Sequence, residues 1–148
     1  MERVVSTTVD FERSPQEVFD FIADTDNWLK IGLLDVEPRG RLALGTEGWH
    51  SRKQGGGKAR STWRVSEFEA GRKLTMLARG GGMEIRDETL LEAIPSGTRA
   101  TFTETFTPTA FAMRLLLPLF MGVIRKNLRE YYASIRTQVE SDSIAAAR

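Results

Sequence analysis

SPQEVFDFIADTDNW, residues 14–28, holds two helix starts end to end. The Ser14 hydroxyl suits the free N–H groups of a first helical turn. Pro15 fits the first helical position, and Glu17 completes a capping box. Val18, Phe21 and Ile22 then share one helical face. Asp24-Thr25-Asp26-Asn27 ends that helix and caps a second short one carrying Trp28 and Ile31. Upstream, residues 3–11 alternate, with Val5, Thr7, Val9 and Phe11 on one side, which is the pattern of a strand.

Downstream, glycine clusters at 55–57, Ala70-Gly71, 80–82 and Pro95-Ser96-Gly97 punctuate a meander of hairpins. A turn centred on Gly56 pairs Trp49 with Trp63 and Ser51 with Ser61. His50/Thr62 and Arg52/Arg60 then fall on the other face. A two-residue Ala70-Gly71 turn pairs Val65 with Met76 and Trp63 with Ala78. A four-residue loop 79–82 pairs Ala78 with Met83, Met76 with Ile85 and Leu74 with Asp87. A four-residue loop 95–98 pairs Ala93 with Ala100, Leu91 with Phe102 and Thr89 with Glu104, leaving Asp87 to face Phe106. These registers agree on one apolar face: Trp49, Trp63, Val65, Leu74, Met76, Met83, Ile85, Leu91, Phe102 and Phe106. The opposite face carries Arg52, Arg60, Arg64, Glu84, Arg86, Glu88, Glu92, Thr101, Thr103 and Thr105, so the sheet is antiparallel with one wet side.

A helix is expected from about Ala110 to Glu140. With Ile124 as reference, Met113, Leu117, Phe120, Met121, Leu128, Tyr131, Ile135 and Val139 fall with it inside an arc of about 100°. Before Ile124 the helix is apolar all round, with Leu115 at about 180° and Leu119 at about −140° from the reference. Pro118 lacks an N–H and should kink or break the helix. An apolar flank there calls for a partner, a gate over a cavity mouth or a second copy of the chain.

The chain has 148 residues, 41% hydrophobic and 28% charged, which suits a single domain over 1–148 with its own core. It has no cysteine, which excludes disulfides, a thiol nucleophile and cysteine-ligated metal. One histidine, His50, excludes a multi-histidine metal site and disfavours a Ser-His-Asp hydrolase. No metal or cofactor is expected. A net charge of +1 argues against a nucleic-acid partner. Charge is uneven: −6 over residues 1–38 and +7 over 39–86, which reads as a solvated basic β-face or an anionic partner at the middle strands. The N-terminal MERVVSTTVDF has no apolar leader-like run, and Phe111 to Ile124 is too short to span a bilayer. No membrane span and a cytoplasmic location are expected.

The segments SPQEVFDFIADTDNW (14–28), Gly45 before the third strand, VSEFEAGRKL (65–74), SGTRATFTETF (96–106) and the terminal helix together resemble the START-like, or SRPBCC, superfamily. The likeness is nearest to its polyketide cyclase/dehydrase and lipid-transport branch and covers nearly the whole chain. It implies a helix-grip α+β fold. In that fold a curved antiparallel sheet of about seven strands grips the long C-terminal helix, two short helices follow strand 1, and a cavity lies between sheet and helix. Members include hydrophobic-ligand carriers, aromatic cyclases, hydratases and co-chaperone-like domains. No catalytic motif runs through all of them, so no residue role carries over.

The residues agree, since a sheet with one apolar face must bury it and the helix stripe is the available partner. Lining such a cavity are Trp49, Ser51, Ser61, Trp63, Val65, Met76, Met83, Ile85, Thr89, Leu91, Phe102, Phe106, Met113, Leu117 and Met121. Apolar walls with a few polar groups suit a hydrophobic or aromatic small molecule, lipid or polyketide-like; equally, these residues suit a filled core. Asp87 and Glu104 come diagonal across Thr89. Two carboxyls facing an apolar space repel and lose solvation, so at least one has a raised pKa and is a candidate general acid or base for cyclisation or dehydration. The alternative is a rim position or pairing with an arginine such as Arg114. Three functions follow: a small-molecule binder, a cyclase/dehydratase-type enzyme using Asp87 or Glu104, and a protein- or membrane-interaction module through residues 111–123, including a homodimer.

Overall fold

The computed structural model describes residues 2–54 and 56–146. Its elements are β1 (Arg3–Phe11), α1 (Pro15–Ile22), α2 (Thr25–Trp28), a 3-10 turn (Leu29–Ile31), β2 (Leu33–Glu37), β3 (Glu47–Gln54), β4 (Gly57–Glu69), β5 (Lys73–Gly80), β6 (Met83–Ile94), β7 (Gly97–Pro108) and α3 (Phe111–Ala146). The seven strands form one antiparallel sheet in the order β1-β7-β6-β5-β4-β3-β2. This is the expected helix-grip architecture.

The caps form as their residue types dictate. The Glu17 N–H donates to the Ser14 Oγ at 3.2 Å, and the Asp26 N–H donates to the Asp24 Oδ1 at 3.0 Å. α1 buries Val18, Phe19 and Phe21, and the Phe19 ring meets Phe68 edge-on at 5.2 Å. The Trp28 indole donates to the Ile22 carbonyl at 2.8 Å, locking the second helix beneath the first.

Three turns are tighter than their sequences suggest. Gly81 and Gly82 both adopt positive φ, +60° and +74°, which permits a two-residue hairpin. Gly80 therefore pairs with Met83, Ala78 with Ile85 and Met76 with Asp87. Likewise Ile94 pairs with Gly97, so Asp87 stands directly opposite Glu104, and Ile85 opposite Phe106. Both corrections shift the register by two residues and leave each side chain on its expected face.

The β3–β4 hairpin differs by one residue, and one residue inverts a strand. Gln54 pairs with Gly57, placing Trp49 opposite Thr62, His50 opposite Ser61 and Ser51 opposite Arg60. Gly48, not Trp49, lies opposite Trp63. A Cβ on Gly48 would stand 2.6 Å from the Trp63 ring and closer still to the Glu37 carbonyl, so the indole lies directly over the glycine. On β4 and β5 the expected Val65–Met76 and Trp63–Ala78 pairs hold. A bulge between Val65 and Glu67 turns Phe68 inward opposite Leu74.

α3 runs unbroken through Pro118. It buries Leu117, Met121, Tyr132, Ile135 and Val139. The buried stripe is thus centred some way round from Ile124, which brings Tyr132 in and leaves the expected Phe120 exposed. Among the described residues, no helix is long and apolar enough to cross a membrane.

Candidate functional site

Apolar packing divides the interior into two clusters. One gathers α1 and α2 with Trp63, Met76, Leu91, Phe102, Tyr132 and Ile135. The other holds Val5, Phe106, Leu117 and Met121, with Leu128 touching both. On β7 the order is Phe102, Glu104, Phe106, and on β6 it is Leu91, Thr89, Asp87, Ile85. The two carboxylates therefore sit where one cluster gives way to the other.

Glu104 is buried and accepts a 2.5 Å hydrogen bond from the Tyr132 hydroxyl. Tyr132 is held by stacking on Phe102, centroids 4.1 Å apart and planes 8° from parallel. Tyr131 meets Tyr132 edge-on at 5.3 Å. Burial drives the Asp87 carboxyl well above the usual carboxylate range, and the facing Glu104 adds to this; the Arg52 charge opposes it. Burial raises Glu104 too, against the pull of the Tyr132 hydrogen bond and of Arg52. Both tyrosines are pushed above the ordinary phenol range, first by burial and then by the two acids. The two acids thus titrate as one pair, both held above the ordinary carboxylate range.

The cation near this pair is Arg52, not Arg114. The one-residue difference in β3 carries Arg52 from the wet face to the inner one, together with His50. Arg52 forms no ion pair within 4 Å among the described residues, and its Nη2 lies 3.4 Å from the His50 Nε2. His50, expected on the wet face, instead meets the Trp28 ring edge-on at 6.3 Å. Burial and the Arg52 charge push its pKa down to about 4. Among the described residues, the His50 Nδ1 and the Trp63 Nε1 are buried without a hydrogen-bond partner.

Of the expected lining, Trp63, Val65, Met76, Leu91, Thr89, Phe102, Phe106, Leu117 and Met121 are buried on the inner side. Ser61, Met83, Ile85 and Met113 are half-buried, as are Ala78, Asp87, Ile124 and Leu128, so this strip of the inner surface reaches solvent. Trp49 and Ser51 are corrected to the outer face. Arg60 lies 3.9 Å over the Trp49 ring there, and the Ser51 Oγ donates to Asp35 at 3.2 Å. Two surface hollows stand out among the described residues. One is an outer-face groove of about 530 Å³ lined by Thr62, Arg64, Leu77, Arg79 and Arg86. The other, about 400 Å³, lies between Lys30–Gly32 and Ser134–Gln138. Neither is the cavity expected between sheet and helix, where the half-open strip lies instead. Among the described residues no group of three or more histidines and acids is placed to hold a metal ion. Much of the basic outer face is internally paired, through Arg86–Glu67, Arg86–Glu88, Lys73–Glu67 and Arg79–Glu84.

Tyr132 and Arg52 were missed in the sequence. Tyr132 was legible in principle, since a stripe drawn through Leu117, Met121, Leu128, Ile135 and Val139 passes over it. Arg52 depended on a turn length that three consecutive glycines leave open.

The sheet, the gripped helix and an interior with one polar row define a START-like, or SRPBCC, domain. The chain belongs to the polyketide cyclase/dehydrase and lipid transport family, whose model matches residues 2–140. No curated protein matches the sequence. A protein of unknown function from Staphylococcus aureus shares the fold at a TM-score of 0.79 and 10% identity, over 97% of this chain and 96% of its own. A Thermus thermophilus protein matches at 0.76 and 16% identity, over 97% and 99%. An uncharacterised Rhizobium leguminosarum protein matches at 0.76 and 12% identity, over 95% and 96%. At such identities these likenesses bear on the fold alone.

Proposed function

We propose that this chain binds a hydrophobic or aromatic small molecule, lipid or polyketide-like, between the inner sheet face and α3. The observation that carries this reading is the Asp87–Glu104 pair, set between two apolar clusters on a strip that reaches solvent. Apolar walls supply affinity through buried area, and a few fixed polar groups orient the ligand. Asp87, Glu104, Thr89 and the unpaired Trp63 N–H are those groups. A ligand bearing a carbonyl or hydroxyl within a mostly apolar skeleton fits them. The test is fluorescence titration with the neutral dye N-phenyl-1-naphthylamine. Saturable binding that Trp63→Ala weakens and Arg60→Ala does not is expected, because the two side chains alternate faces. Equal effects of both changes would contradict the proposal.

The raised carboxyls favour a second reading, acid–base catalysis of the cyclase/dehydratase type. A protonated carboxyl donates to a departing hydroxyl while an ionised one takes the proton from the adjacent carbon. The C–H and C–O bonds break, a C=C bond forms, and water leaves. Asp87→Asn then abolishes dehydration of an aromatic β-hydroxy ketone while dye binding persists. If neither wild type nor variant eliminates water from such substrates, binding alone remains.

A further inference from the structure

We propose that the outward face of the N-terminal half of α3 docks this protein on an anionic lipid surface. Phe111, Leu115, Leu119 and Val123 leave 74, 63, 75 and 59% of their surface exposed, and Leu116 and Phe120 are exposed beside them. Phe111, Leu115, Leu119 and Val123 follow one another at four-residue steps, and with Leu116 and Phe120 they cover about half the circumference of the helix. This face points away from the two interior clusters, which α3 meets through Leu117, Met121 and Leu128. An apolar patch of this kind marks an interaction surface.

Charge decides which kind of surface. From Thr105 to Arg129 the chain has no acidic residue and four basic ones, Arg114, Arg125, Lys126 and Arg129. All four are exposed, and among the described residues none forms an ion pair. At about 100° per residue, Lys126 and Arg129 continue the outward face just past Val123, and Arg114 and Arg125 flank it. Projecting leucines and phenylalanines bordered by cations are the pattern of a helix lying in a membrane interface. The same charges disfavour a second copy of the chain, because a two-fold pairing of this face sets its cations near one another.

The test is co-flotation of the full chain with phosphatidylcholine vesicles, with and without phosphatidylglycerol. Binding to the anionic vesicles alone is expected, falling as salt rises from about 0.1 M to about 1 M and the screening length drops from about 10 Å to about 3 Å. Leu115→Glu with Leu119→Glu should abolish it. Arg125→Gln with Lys126→Gln should weaken it about tenfold or more, since each cation at such a surface contributes about fivefold. All four positions are exposed, so unchanged circular dichroism and thermal melting are expected for both variants. N-phenyl-1-naphthylamine binding, which reads the inner strip, should stay at its wild-type level, so loss of docking and loss of ligand binding are distinguishable. No binding to anionic vesicles would overturn the proposal, as would binding that the leucine changes leave intact. A doubled mass in light scattering that those changes halve would assign the face to a second copy instead.

Discussion

Replacing His50 with glutamine should flatten the acid limb of the stability curve. The ring packs on the inner face against Trp28, with its Nδ1 buried and unpaired. Burial, aided by the Arg52 charge, lowers its pKa from 6.5 to about 4. Between those values the unfolded chain binds a proton that the folded chain refuses, so stability falls as pH drops through the window. The displacement, at about 1.4 kcal/mol per pH unit, amounts to about 3 kcal/mol, lost in full below about pH 4. Asp87 and Glu104 act in the opposite sense. Their folded pKa values are raised, so their contribution falls as pH rises from the unfolded carboxylate value of about 4. Only the difference between wild type and variant isolates the histidine. Urea unfolding at intervals from pH 4 to pH 8 supplies that difference. It should change steadily between about pH 6.5 and about pH 4 and be flat above. Because the chain holds one histidine, its imidazole resonances titrate without ambiguity in NMR. A midpoint near 6.5, or a difference that does not vary with pH, would refute the inward placement of β3.

Three further outcomes are expected. Trp63→Ala should cost about 3–5 kcal/mol in denaturant unfolding, as truncation of a buried aromatic does, whereas Arg60→Ala removes an exposed cation–π contact of about 0.5–1 kcal/mol. Tyr132→Phe leaves the buried Glu104 without its donor and should cost about 1–3 kcal/mol; carbon-13 NMR should show the Glu104 carboxyl titrating at higher pH than in wild type. Asp87→Asn should make the protein more stable than wild type at neutral pH, the gain disappearing as pH falls to the unfolded carboxylate value of about 3.9.

The faces of β5, β6 and β7 were legible because the loop errors were even. Gly81-Gly82 and Pro95-Ser96 are two-residue turns where four-residue loops were expected, and a shift of two returns every side chain to its face. That shift brought Asp87 and Glu104 from diagonal to directly opposite. The β3–β4 error was odd, so Trp49 and Ser51 exchanged faces with His50 and Arg52. Glycine places no side chain to pin a register, and nothing in the run 55–57 marks which residues turn. The inward turn of Phe68 rests on a bulge that lets the ring pack against Phe19, a contact distant in sequence. Half of the candidate site, the two carboxyls, was therefore readable from alternation. The other half, Tyr132 and Arg52, required the tertiary arrangement.

Entry of an apolar molecule between sheet and helix can be read directly at the methionines of the two walls. Met83 on β6 and Met113 on α3 flank the half-open strip, and Met76 and Met121 lie deeper on the same two walls. Protein labelled with carbon-13 at the methionine methyls, titrated with N-phenyl-1-naphthylamine, reports on both walls at once. The Met83 and Met113 resonances should shift together and saturate at one dye per chain. Dye fluorescence that rises while both resonances stay fixed would place the binding elsewhere and contradict entry between sheet and helix.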